Sequence, residues 1–202
     1  MKSIGPQSMP PVSAEVNLDA VVANARDVQT LVGPTRGVLA VLKADAYGHG
    51  LVPVAKALQR DGIVAGLVVS SVSDGLELRK EGIELPIIAL ACRFGRRHGL
   101  VLDAGITPVL TSKADLEQFS IAARARGRAV DVHVEIDTGM SRSGLRAEEV
   151  EPFLLALAEL ALDHVAGLVT QRASSDTEPP TSASRHLDVF EHICAQFRAS
   201  DH

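Results

Sequence analysis

Aromatic residues and cysteines are scarce in this sequence: among 202 residues there is no Trp, one Tyr and two Cys. Cys92 and Cys194 lie far apart and in no metal-ligand spacing, so both read as small, reduced hydrophobes of a cytoplasmic protein. The seven histidines are dispersed as well, and a metal site has no support. Basic residues are scattered and the formal net charge is -5, which argues against a nucleic-acid partner, since that needs a clustered basic face. No apolar run is long enough to span a bilayer, which argues against a membrane protein. Met1 to Val12 carries Pro and Gly but no apolar signal-peptide core, so residues 1–13 read as a flexible leader.

What is present is a chain for burying a core. Apolar residues make up 46% and charged residues 22% of it, the balance of a globular domain. Short apolar runs alternate with longer helical patterns. Leu18, Val21, Val22, Ala25, Val28 and Val32 recur at helical spacing, predicting an amphipathic helix over 18–32 that ends near Gly33. Strands are predicted over 37–42, 63–69, 87–90, 106–110, 130–137 and 165–170. Pro108 weakens the fourth of these. Helices are expected over 51–60, from Ser71 and Asp74 to about Lys80, over 96–104, from Ser112 and Asp115 to about Arg126, over 147–162 and over 185–198. Residues 174–184 are polar and Pro-containing, and read as a loop.

About six strand–helix units with strands this apolar predict an α/β fold with a parallel sheet covered by helices. Two architectures compete, an incomplete (β/α)8 barrel and a doubly wound open sheet. In the strand over 130–137, Val130, Val132, Val134 and Ile136 share one face, and Asp131, His133, Glu135 and Asp137 share the other. Four polar side chains are costly to bury under helices, whereas a barrel lumen can hold them. An edge strand with one wet face is the alternative; the barrel is the expected fold.

The most informative segment is Lys43-Ala-Asp-Ala-Tyr-Gly-His-Gly50, placed where a strand ends, which is where barrel enzymes carry their chemistry. A buried, unpaired ammonium is expensive, and forming an imine with an aldehyde cofactor is one remedy; a lysine that simply reaches solvent is the other reading. The octapeptide resembles the cofactor-lysine motif K-A-[DN]-A-Y-G-H-G of alanine racemases. Three further segments resemble the same family, in order: Ala14-Glu-Val-Asn-Leu-Asp19, Asp137-Thr-Gly-Met-Ser-Arg-Ser-Gly-Leu145 and Gly167-Leu-Val-Thr170. Four ordered matches are far more specific than one.

The resemblance implies a pyridoxal 5'-phosphate (PLP) enzyme that interconverts L-alanine and D-alanine for peptidoglycan synthesis. Lys43 would be the catalytic residue, forming the internal aldimine and serving as the base on one face of the substrate. Tyr47 would bind the cofactor phosphate, and Arg142 would orient groups around the substrate carboxylate. Read without the resemblance, Arg142 is also consistent with an ordinary surface arginine after a turn, and Tyr47 with a packing residue. Asp137 and Thr138 are expected to shape a turn, with Gly139 at an unusual backbone angle, and His49 to begin the next helix.

Two positions depart from the family. Gln171 follows Thr170 where His usually stacks on the cofactor ring; an amide lacks that aromatic face, so cofactor affinity should weaken. Glu135 stands where many members carry a lysine that reacts with carbon dioxide, and a fixed carboxylate compensates. Residues 14–202 correspond to the N-terminal part of the family's barrel. The remaining strands and the C-terminal β-domain, which supplies a catalytic tyrosine within a homodimer, are absent, so this chain alone is expected to be inactive. Serine or broad-specificity racemisation and a non-catalytic remnant are the alternative readings.

Overall fold

A computed structural model of the chain describes residues 12–90, 94–160, 164–173 and 181–200. Cys92, most of the leader and the predicted loop over 174–180 lie outside the described residues. The first helix, α1 (Leu18–Val32), has the expected bounds. Asn17 caps it by accepting from the Ala20 N–H, and the Gly33 N–H closes its end on the Gln29 carbonyl. The elements then alternate through β1 (Leu39–Val41), α2 (Lys43–Gly48), α3 (Leu51–Asp61), β2 (Gly66–Val69), α4 (Val72–Lys80), β3 (Ile87–Ala89) and α5 (His98–Asp103). They continue with β4 (Ile106–Leu110), α6 (Lys113–Arg124), β5 (Asp131–Ile136), α7 (Ala147–Leu160), β6 (His164–Thr170) and α8 (Thr181–Ala199).

The six strands pair parallel in chain order, β1-β2-β3-β4-β5-β6. A doubly wound sheet would reverse direction at a switch point; this one never does, and it is the wall of a barrel. The burial pattern agrees. Leu67, Val69, Ile87, Ile106, Val132 and Val134 join the helices in the main core. Val68, Ile88 and Val109, on the opposite face, form a second small cluster with Leu90. On β5 that inner face becomes polar, with half-buried His133 and buried Glu135.

The Ser71 and Ser112 capping signals are formed as read: Ser71 accepts from the Ser73 and Asp74 N–H groups, and Ser112 from Asp115. Pro108 does not break β4. Pairing with β5 begins at Val109, one residue past the proline, where a missing N–H interrupts least. One expectation is corrected: residues 181–184 are helical, opening α8 rather than closing a loop. Of the two readings left open for the lysine at the end of the first strand, the exposed one holds. β1 is an edge strand with Leu39 and Val41 substantially exposed, so Lys43 beyond it reaches solvent. Among the described residues, no helix is long and apolar enough to cross a membrane.

Candidate active site

Past β1, buried Leu42 continues the ladder by donating its N–H to the Val68 carbonyl at 2.8 Å. The chain then turns left-handed. Ala44, Asp45, Ala46 and Tyr47 have φ of 52, 55, 52 and 57°, a conformation that costs an L-residue about 1–2 kcal/mol each, so roughly 4–8 kcal/mol for the turn. Several contacts offset this. The Ala46 methyl is buried, and its N–H donates to the Leu42 carbonyl at 3.0 Å. The Ala46 carbonyl accepts from the His49 backbone N–H at 3.2 Å and lies 2.9 Å from His49 Nδ1. Asp45 accepts twice, through its carbonyl from Gly50 N–H at 3.0 Å and through Oδ1 from Leu51 N–H at 2.6 Å. His49 therefore closes the left-handed turn rather than starting α3. The turn presents Lys43 and Tyr47 together, with Lys43 Nζ 5.6 Å from the Tyr47 ring centroid, within cation–π range.

A second set of groups comes from β5 and the loop that follows it. The loop folds back, so that Leu145 N–H donates to the Glu135 carbonyl at 2.8 Å and Asp137 N–H to the Leu145 carbonyl at 2.9 Å. This return buries Glu135, whose Oε1 accepts from the Ser143 hydroxyl at 2.8 Å. Its other oxygen is buried with no partner among the described residues. Asp137 Oδ1 accepts from the Gly139 and Ser141 N–H groups, both at 2.9 Å. Burial pushes the Asp137 carboxyl upward, but those amides and that of Met140 outweigh it and hold the group below its ordinary range. Gly139, at φ 139°, has the backbone angle expected of it and faces the His186 ring from α8. Exposed Arg142 lines a cavity of about 350 Å³ with Asp137, Ser141, Ser143, Gly144 and Arg146.

At the end of β6 the Thr170 hydroxyl donates to the Ile136 carbonyl at 2.8 Å, so at 2.9 Å from Thr138 Oγ1 it accepts from that hydroxyl. This relay pins the ends of β5 and β6, and Gln171 emerges exposed just beyond. Lys43, Tyr47, Arg142 and Gln171 thus all sit past the C-terminal ends of parallel strands, on one rim. Lys43 and Tyr47 lie within cation–π range of each other; no hydrogen bond or ion pair among the described residues joins them to Arg142 or Gln171. Sequence reasoning missed Asp45, Ser143 and His186. Of these only Asp45 carried a signal, an acceptor upstream of a helix whose own cap position, Gly50, has no side chain.

Residues 16–202 match the family model described as alanine racemase, N-terminal domain. An alanine racemase from Desulfovibrio desulfuricans is 39% identical over 191 residues, covering 94% of this chain and 51% of that protein. Among solved structures, the alanine racemase of D-cycloserine-producing Streptomyces lavendulae matches with a TM-score of 0.85 at 30% identity, over 92% of this chain and 49% of that one. The Clostridium difficile enzyme in complex with cycloserine matches with a TM-score of 0.81 at 28% identity, over 92% of this chain and 50% of that one. The chain spans about half the length of the relatives it matches.

Proposed function

The chain belongs to the alanine racemase N-terminal domain family, and on that premise we propose that it carries the PLP-holding part of a racemase acting on alanine. The observation that carries this reading is the paired presentation of Lys43 and Tyr47 on a left-handed turn at the barrel rim. An exposed primary amine beside a phenol suits a phosphorylated aldehyde cofactor. The donor set elsewhere on the rim suits it too: guanidinium at Arg142, amide at Gln171 and a buried carboxylate at Glu135.

In this reading Lys43 would hold the cofactor, the Tyr47 hydroxyl would donate to its phosphate, and Gln171 would be a further binding group. When bound, PLP supplies an electron sink for the charge left on a substrate Cα that has lost its proton. Lys43 Nζ takes or returns that proton on one face of the amino acid, and Arg142 orients the groups around the substrate carboxylate. Inversion needs a second proton donor on the opposite face. The chain contains one tyrosine, already assigned to phosphate binding, so a tyrosine donor would come from outside these residues, as in a homodimer of longer chains. Gln171 favours a second reading, weak cofactor binding without turnover, because its amide offers no aromatic face for ring stacking.

Borohydride reduction of the chain in the presence of PLP, followed by digestion and mass spectrometry, tests the core of the reading. The pyridoxyl group is expected on Lys43. Its recovery on Lys56 or Lys80 ends the assignment.

A further inference from the structure

We propose that Asp45 is a positioning residue, whose carboxylate ties the left-handed turn carrying Lys43 and Tyr47 to the rigid helix α3. The proposal rests on the reading of Lys43 and Tyr47 given above. Three observations carry it. First, α3 begins after Gly50, which has no side chain and makes no capping bond. The carboxylate of Asp45, six residues upstream of Leu51, takes over that duty through its 2.6 Å bond from the Leu51 N–H. A carboxylate is favoured there by the positive end of the helix dipole as well.

Second, α3 is a firm anchor. Leu51, Val54, Ala55, Ala57 and Leu58 are all buried in the main core. Third, the segment between is in a conformation its residues do not prefer. Four successive non-glycine residues at positive φ persist only where surrounding contacts over-determine them. The side chains of Lys43 and Tyr47 are both exposed and make no hydrogen bond among the described residues, so neither side chain can hold the turn. Asp45 holds it through its side chain and, by accepting from Gly50 N–H, through its backbone.

The sequence supplies its own reporter. Tyr47 is the only tyrosine and there is no tryptophan, so the tyrosine band of the near-ultraviolet circular dichroism spectrum reports this turn alone. The experiment compares the whole chain with Asp45→Ala, Asp45→Asn and Asp45→Gly, recording that band and the affinity for PLP. Asp45→Asn keeps an acceptor and is expected to retain both. Asp45→Ala should lose most of the band and bind PLP about tenfold more weakly, the size of one charge-assisted hydrogen bond. Asp45→Gly removes the acceptor while relieving the backbone, so it folds at least as well; it is expected to lose the band equally.

Retention of the band in Asp45→Gly and Asp45→Ala overturns the proposal. So does an unchanged PLP affinity accompanied only by a lower thermal midpoint, since that marks a purely structural role. If the unaltered chain takes up no PLP at Lys43, the functional reading fails, while the tyrosine band still decides whether Asp45 orders the turn.

Discussion

Gly144→Ala is the sharpest perturbation of the candidate site. Gly144 lies at φ 101°, and a Cβ built there would sit 2.8 Å from the Asp137 nitrogen, 3.0 Å from the Glu135 oxygen and 3.0 Å from the Ile136 carbonyl carbon. All three are backbone atoms at the end of β5, which cannot swing aside like a side-chain tip. Strain at such a φ costs about 1–3 kcal/mol, and forcing the methyl into packed surroundings about 1–3 kcal/mol more. The loop has a cheaper escape. By peeling away from β5 it forfeits the Leu145–Glu135, Asp137–Leu145 and Ser143–Glu135 hydrogen bonds, together about 3 kcal/mol. The smaller cost prevails, so Gly144→Ala should destabilise by roughly 2–3 kcal/mol in urea unfolding, with the Leu145 amide losing hydrogen-exchange protection. Gly62→Ala is the control, because Gly62 sits in the ordinary left-handed region at φ 74° with nothing within 4 Å of a built Cβ; only the backbone cost of that region, about 1–2 kcal/mol, applies there. If Gly144→Ala is no worse than Gly62→Ala, the crowding argument is wrong.

Three further outcomes follow from the same contacts. Arg79 donates to the carbonyls of Ala104 at 3.0 Å, Ile83 at 2.6 Å, Leu85 at 2.8 Å and Gly105 at 3.0 Å. Arg79→Ala should cost about 2–4 kcal/mol, with Arg79→Lys recovering less than half, and a thermal midpoint equal to that of the parent refutes the clamp. Burial holds both His133 and His98 below the ordinary imidazole value, against the opposing pull of Asp131 and Asp115 respectively. The unfolded chain therefore protonates first. Stability should be complete above about pH 6.5 and fall as pH drops through that value until the folded imidazoles protonate; a flat urea midpoint from pH 8 to 5 contradicts this. Finally, if Glu135 takes the place that the family resemblance gives to a lysine modified by carbon dioxide, activity of an assembly containing this chain should ignore bicarbonate. Clear stimulation by bicarbonate would show that Glu135 does not play that part.

The elements legible in the sequence were those whose signals are local. Gly33, Ser71 with Asp74 and Ser112 with Asp115 mark helix ends by hydrogen bonds to neighbours within a turn, so a sequence window contains both partners. The strands were legible in place and face but not in length. β1 and β2 are shorter than their apolar runs, because pairing starts only at Leu39 and Gly66. The left-handed turn was invisible. Ala-Asp-Ala-Tyr has no periodicity that distinguishes the hand of a single turn, and intrinsic preference points the other way. Its hand is decided by Asp45 reaching Leu51 and by the burial of Ala46, both products of how the turn meets the rest of the fold. The burial of Lys43 stayed open for a related reason: an apolar run shows that a strand is covered somewhere, not that it lies inside the sheet.

Glu135 shows how far periodicity reaches and where it stops. Alternation along β5 correctly set it on the inner face with Asp131 and His133, and a barrel makes room there for polar groups. Alternation says nothing about how deep along the strand water penetrates. Asp131 is exposed, His133 half-buried and Glu135 buried, so the gradient runs toward the very rim where solvent would be expected. The cause is the returning loop, which lays Leu145 on the Glu135 carbonyl and Ser143 on its carboxylate. That return is possible only because Gly144 has no Cβ to strike β5. One glycine, two residues from Arg142 and outside every periodic pattern, therefore sets the dielectric surroundings of the carboxylate. The alternation of the strand names the group, and the backbone of the loop decides its chemistry.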